Sequence, residues 1–395
     1  MRTMTSGKIN MIMTNLFYTS SERIDTEPTV PVDLGVKLNS EYWMGNPDES
    51  ICSQLTTSEQ KVTDKKLCFA LSVPGNEGLY YAWLDGDRFE KKRLNGNGTG
   101  SNFPHGNWFP QVLSGGDCDP KIHYLTMFRN GTDYSGNLLS TETDSKSDSI
   151  LEEYDMYWTA PGRTGAIQIG NRLWVCTSDN SHSFIVRYSD DNGQSWKQDV
   201  IERAFIDRVY SVKSCKNSPC VLYRSNGCLK LALRSNDGKW CVKLISEGKI
   251  ICADIVVYGR DIYVSVVMDN DHTAIKCYRL IMQDECYFVK PCLFNTINTN
   301  SVVERISCAI DNISGELHVF YISAPIEHDG NSSIYCRSSS DKVSVKVIDC
   351  KYGPKYFLSA AFDDWNRSIL IFYSEKSDSI QYFVRKVTSR REIQL

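Results

Sequence analysis

The run SDDNGQSW, Ser189 to Trp196, packs two hydroxyls and two carboxylates into eight residues. Such a cluster could move protons, hold a cation, or fold the backbone back on itself. Its setting decides between these. It follows SFIVRY (Ser183 to Tyr188) and precedes KQDVIERA, so it connects two strands of a hairpin. Asp191 can accept backbone N–H bonds within the turn, Gly193 can take positive φ, and Trp196 can pack back between neighbouring elements. SNDGKW (Ser235 to Trp240) repeats a shortened version, with Trp240 standing 44 residues after Trp196. WLDGDRF (Trp83 to Phe89) is a third trace. We read Ser189, Asp191, Gly193 and Trp196 as structural.

Other reactive arrangements are missing. The sequence holds no phosphate loop, nucleophile elbow or metal-ligand cluster, so neither cofactor nor metal is expected. The fifteen cysteines include no Cys-x-x-Cys pair and the six histidines are scattered, which removes the zinc reading. Cysteines do stand close in Cys215/Cys220, Cys228/Cys241 and Cys286/Cys292, and a disulfide framework fits them better. Five Asn-x-Ser/Thr sequons, at Asn97, Asn130, Asn312, Asn331 and Asn366, agree with a glycoprotein. MRTMTSGKINMIMTNLFYTS lacks the unbroken apolar core of an export signal. The expectation is an extracellular chain, or a virion or cell-surface ectodomain, whose export signal lies outside this sequence. The alternative is a cytoplasmic protein whose cysteines act as small buried hydrophobes.

The elements that would position a site are β-strands. With 41% apolar and 11% aromatic residues the chain can bury a large core. A net charge of −4, with both signs interspersed, argues against a nucleic-acid partner. No segment approaches the roughly 20 apolar residues of a membrane span. Short apolar runs separated by turn residues recur, beginning at Leu67, Trp108, Gly165, Val209, Ile251, Arg305 and Tyr356, about 40 to 60 residues apart. Repeats of that length, each three or four strands, predict an all-β propeller. Residues 1–50 read as an N-terminal extension contributing a closing strand, and 51–390 as a single β-propeller domain. Seven units fit either six blades plus a closing strand pair or seven full blades.

The pattern Ser-x-Asp-x-Gly-x-Ser/Thr-Trp in Ser189 to Trp196 resembles the Asp-box of the sialidase superfamily and other Asp-box propellers. There the box lies on the face away from the active site, in keeping with a structural role. APGRTGAIQIGNRLWVC (Ala160 to Cys176) is similar to the Gly-Pro-Gly-x-Gly-Ile-Gln-Leu run that precedes the same box in many sialidases. Asp207 and Arg224, 17 residues apart, match a Glu and an Arg on adjacent inner strands in those enzymes. The similarity covers Ala160 to Trp240 and implies a six-bladed sialidase-like propeller, with seven blades as the alternative. The Cys215/Cys220 pair spans one turn between consecutive strands, which makes it the first bridge to expect, and it is loosely similar to a pair in the heads of viral neuraminidases.

The resemblance also implies a chemistry. Three arginines would hold a sialoside carboxylate, a Tyr activated by a Glu would attack, and an Asp would supply the general acid. Trp108, or Lys66 in another register, stands where the first arginine belongs. Arg224 fits the second, with Asp207 in place of its Glu partner. The third should fall at Met268, Asp271 or His272, and Glu304 and Arg305 occupy the region expected for the Tyr. Tyr321, Tyr356 or Tyr373 would replace it in another register, and Asp117, Asp119 and Asp133 are loop candidates for the acid. The expectation is therefore a binding module for a sialylated or anionic glycan or glycoprotein receptor, with impaired or absent hydrolysis. Its ligand-binding residues would be Arg224, Asp207, Arg163 and Trp108. An active exo-α-sialidase is the alternative, and an assembly scaffold is a third reading. An oligomer remains compatible with any of them.

Overall fold

The computed structural model describes the backbone of strands between Ile24 and Ser389. It describes side chains over residues 165–178, 183–191, 193–235, 237–282, 291–324, 332–348 and 358–362, with Ile369, Ile371 and Tyr373.

Two strands, β1 (Ile24–Asp25) and β2 (Val32–Asn39), precede the first sheet. That sheet holds β3 (Cys68–Val73), β4 (Gly78–Asp85) and β5 (Arg88–Leu94). The second holds β6 (Trp108–Leu113), β7 (Lys121–Asn130), β8 (Asp133–Glu142) and β9 (Ser149–Asp155). The third holds β10 (Gly165–Ile169), β11 (Arg172–Ser178), β12 (Phe184–Ser189) and β13 (Lys197–Glu202). The fourth holds β14 (Ile206–Cys215), β15 (Ser218–Ser225), β16 (Cys228–Arg234) and β17 (Trp240–Glu247). The fifth holds β18 (Ile250–Tyr258), β19 (Asp261–Met268), β20 (Asp271–Ile281) and β21 (Cys292–Asn298). The sixth holds β22 (Val302–Ile310), β23 (Leu317–Ala324), β24 (Ser333–Ser338) and β25 (Val345–Asp349). The seventh joins β26 (Leu358–Asp363), β27 (Ser368–Lys376) and β28 (Ser379–Ser389) to β2 and β1 from the other end of the chain.

All seven sheets are antiparallel, the first six as meanders in chain order, and the first strands of successive sheets lie side by side from β3 to β26. The last sheet meets the first where β2 touches β3 and β5. The chain is a β-propeller. The described residues form seven sheets, the number of repeat units counted in the sequence.

The core is divided into seams between neighbouring sheets. One cluster joins Trp174, Phe184 and Val186 of the third sheet to Val212, Val221 and Tyr223 of the fourth. Others join the fourth to the fifth, the fifth to the sixth, and the sixth to the seventh. This explains the strand patterns. Second strands are covered on both faces and read as continuous apolar runs, as in DIYVSVVM and LHVFYISA. Outer strands such as KQDVIE expose half of their residues and bury only Ile201 fully. Gly165 opens the third sheet because a Cβ there would lie 2.6 Å from Val212 Cγ2 across the seam. The two-residue turn Asn226–Gly227 has φ of 52° and 73°, the geometry that lets a tight hairpin follow strand twist.

The cysteine expectation needs correction. Cys220 is a free thiol opposite Lys213, and the bridge to Cys215 is not formed. Cys215 faces Ser218, so the two cysteines are diagonal neighbours. Diagonal positions lie about 7–8 Å apart, beyond the roughly 4.4–6.8 Å a disulfide spans. Cys176, Cys252, Cys277, Cys308 and Cys336 are likewise free and buried, packed as small hydrophobes.

Candidate functional site

In a four-stranded meander, the first and third turns share one end, here the hairpin end. The second turn and the links to neighbouring sheets share the other, the linker end. The Ser189–Trp196 turn joins β12 to β13 at the hairpin end. Asp207, near the start of β14, and Arg224, near the end of β15, lie at the linker end. Fold-making and ligand-facing candidates thus occupy opposite ends.

The turn satisfies itself. Ser189 Oγ donates to Asp191 Oδ1 and accepts from Gly193 N, each at 2.7 Å. Asp191 Oδ1 accepts from Ser195 N at 2.8 Å and Oδ2 accepts from Ser195 Oγ at 2.5 Å. The Ser195 hydroxyl and N–H, then Ser189, hold the Asp191 carboxyl at about 2. Gly193 takes φ 89°, and Trp196 Nε1 donates to its carbonyl at 3.2 Å. In the second turn, Ser235 Oγ bonds Asp237 and accepts from Lys239 N at 3.0 Å. Trp240 then packs against the core seam, with Nε1 donating to Asp199 Oδ2 at 3.4 Å. Arg234 donates to the same Asp199 oxygen at 2.9 Å, and its guanidinium lies 5.2 Å from the Trp174 ring.

The linker end differs in kind. Arg208 of β14 and Arg224 of β15 are direct cross-strand partners, flanked by irregularities in register. Arg224 Nε lies 3.3 Å from Asp207 Oδ2 but is not aligned to donate to it. Its Nη1 donates to the Ile250 carbonyl of the next sheet at 3.3 Å. Asp207 Oδ2 also accepts from Gly227 N at 3.4 Å. The Arg224 and Asp207 side chains stay 25% and 28% exposed, so a ligand can reach them. Arg208 Cζ stands 5.4 Å from the Tyr210 ring centroid. The Tyr210 hydroxyl is buried with no hydrogen-bond partner, and burial pushes its pKa up to about 12. Beyond Arg224, Asp269 pairs with Lys249 at 3.3 Å and with His272 at 3.4 Å.

One buried network ties the inner strands together. Asp254 of β18 accepts from Ser307 Oγ at 3.2 Å and Cys308 N at 2.8 Å on β22. Ser307 Oγ accepts in turn from Ala360 N of β26 at 2.9 Å. Burial pushes the Asp254 carboxyl above its usual range.

With the geometry in view, the chain can be compared with known proteins. No protein family and no curated protein matches it in sequence. Among solved structures it is similar to the β-propeller domain of the Trilobed protease from Pyrococcus furiosus. That likeness has 10% identity over 83% of this chain and 93% of the other, with a TM-score of 0.49. A NanB sialidase from Streptococcus pneumoniae has 9% identity over 91% of this chain and 71% of its own, with a TM-score of 0.45. An α-L-arabinanase from Penicillium chrysogenum, complexed with arabinobiose, has 9% identity over 71% of this chain and 93% of its own, with a TM-score of 0.42.

The sequence candidates fall as follows. Asp207 and Arg224 come together. Trp108 begins β6, the first strand of its sheet, opposite Leu125. Arg163, Lys66, Tyr356, Asp117 and Asp119 lie outside the described residues, and Asp133 is placed by its backbone alone, at the start of β8. Tyr321 and Tyr373 are buried, at 3% and 0% exposure. Tyr223 does bond a glutamate, Glu202, at 2.8 Å, but at 0% exposure it is sealed in the seam. Sequence reasoning missed Arg208. Counting straight back from the Cys215–Ser218 turn sets it opposite Ser225, and the register slip between Val209 and Ser211 brings it to Arg224.

Proposed function

We propose that this propeller is a sialidase-like binding module that takes an anionic glycan, of the sialylated class, at its linker end and does not hydrolyse it efficiently. The carrying observation is the Arg224 guanidinium, kept partly exposed while Asp207 and the Ile250 carbonyl hold it. An oriented guanidinium is a charge-assisted fork for a carboxylate. Hydrolysis would need an open nucleophile beside a carboxylate. Among the described residues, Tyr223 has the carboxylate but no opening, and Tyr210 has no carboxylate bonded to its buried hydroxyl. Burial also pushes the Cys252 thiol, which senses Arg305 and Arg208, up to about 12, so it is no thiolate nucleophile. A sialylated glycoprotein receptor met outside the cell fits this reading.

The test runs sialoside hydrolysis beside glycan binding on wild type, Arg224→Ala and Asp207→Asn. Arg224→Ala should abolish binding, and Asp207→Asn should only weaken it. Turnover by wild type above about 1 per second would make the chain an active exo-α-sialidase instead.

A further inference from the structure

Asparagine is thermolabile where the next backbone nitrogen can reach its side-chain amide, and a following glycine leaves that nitrogen least hindered. The chain has five Asn-Gly pairs, at Asn95, Asn97, Asn130, Asn192 and Asn226. Two of the glycine nitrogens can be compared, and the fold holds them very differently. Gly193 N donates at 2.7 Å to the hydroxyl of Ser189, a residue 1% exposed. Gly227 N donates to Asp207 Oδ2 at 3.4 Å, longer than an ordinary N–H···O bond, and the Asp207 side chain is 28% exposed. Asn226 and Gly227 are both exposed, and a Cβ on Gly227 would meet nothing within 4 Å.

We propose that Asn226–Gly227 is a site of spontaneous modification, where the fold leaves an asparagine at the linker end open to deamidation. The Gly227 nitrogen gives its proton to hydroxide and forms a bond to Asn226 Cγ. The Cγ–Nδ2 bond breaks, and ammonia leaves with a proton taken from water, which restores the hydroxide. Water then opens the succinimide ring at either carbonyl, leaving aspartate or isoaspartate. One water is consumed, ammonium is released, and the turn gains a carboxylate.

The consequence rests on the reading of this end as an anion-binding face. Residue 226 follows Arg224 by two positions, so the new charge repels an anionic ligand. Isoaspartate also adds a backbone carbon to a two-residue turn, whose length sets the hairpin register. The Gly227 carbonyl accepts from Gly248 N at 3.1 Å, and Ile250, two residues further on, holds Arg224 Nη1 through its own carbonyl. A disturbed turn therefore loosens the support of Arg224.

The experiment holds the full chain at neutral pH, folded and in urea, and follows Asn226 and Asn192 by peptide mass mapping after digestion in acid. In the folded chain Asn226 should convert about tenfold faster than Asn192, the worth of the stronger bond on Gly193 N. In urea the two should convert at similar rates, because both precede glycine. An intact Asn226 in the folded chain, or conversion no faster than at Asn192, overturns the site. Ion exchange then separates modified from unmodified chain, and each is melted and titrated with sialyllactose. The modified chain should bind about threefold to tenfold more weakly, the effect of one like charge nearby, and melt at a lower temperature. Asn226→Gly keeps the positive φ without the amide, and should age with no change in binding or melting. Equal binding and equal melting of the two fractions overturn the consequence. If fresh chain binds no sialyllactose while Asn226 converts and the melting temperature falls, the modification stands and the sialylated-glycan reading falls.

Discussion

Tyr223 of β15 donates its hydroxyl hydrogen to Glu202 of β13 at 2.8 Å, across the seam between the third and fourth sheets. Lys230 of β16 closes on the other carboxylate oxygen, and the Phe184 ring covers Tyr223 with centroids 4.6 Å apart. The partners of a tyrosine–carboxylate nucleophile are present, but they serve as a fastening. Tyr223→Phe should cost about 1–3 kcal/mol in denaturant unfolding, for a buried bond to a charged group, and leave glycan affinity of the folded protein intact. Loss of affinity at unchanged stability would make Tyr223 a functional residue instead.

The hairpin-end turn should behave as a folding element. Ser189 is 1% exposed and serves Asp191 and Gly193 together. Ser189→Ala should destabilise by about 1–3 kcal/mol and leave binding unchanged. A selective binding defect at full stability would move the site to this end.

The Gly165 contact can be tested by compensation. Gly165→Ala drives a methyl into Val212 and should cost about 1–3 kcal/mol as overpacking. Val212→Ala should recover part of that cost in the double variant, because the colliding Cγ2 is removed. Additive losses would show that the strain lies elsewhere.

Alkaline pH should unfold the protein. Burial raises the thiols of Cys176, Cys220, Cys252, Cys277, Cys308 and Cys336 above the ordinary value of 9.0, Cys277 to about 11 and Cys252 to about 12. Above pH 9 the unfolded chain releases these protons while the folded chain keeps them, so stability falls as pH rises towards the folded values. Each thiol contributes a loss of up to about 1.4 kcal/mol per pH unit. Urea midpoints in reducing buffer should drop steeply from about pH 8 to about pH 10, and a flat profile would mean that the thiols are not sealed.

What could be read from the sequence was local. The repeat rhythm and the Ser189–Trp196 turn depend on residues close together in the chain, and both carry over into the sheets and the closed hydrogen bonds of that turn. The pairing of Asp207 with Arg224 came from spacing and resemblance, and they meet at 3.3 Å. Arg208 escaped because its partner is set by register, which slips between Ile206 and Arg208 and again between Val209 and Ser211. The same register separates Cys215 from Cys220, whose short spacing suggested a bridge. Nearness in sequence is not opposition across a ladder. The sealing of Tyr223 likewise depends on a neighbouring sheet, which no local pattern encodes.

The shared sheet at the two ends of the chain also sets how the molecule bears load. Ile24 is the strand partner of Ser389, Val32 of Val384 and Asn39 of Ser379. The outward-leading chain on both sides therefore leaves the ladder at the same end. Tension between tethers on the two sides pulls across this ladder, and its hydrogen bonds give way one after another. The clasp that joins β2 to β28 peels under small force like a zip, whereas a sideways pull on the same strands would meet all of its bonds at once.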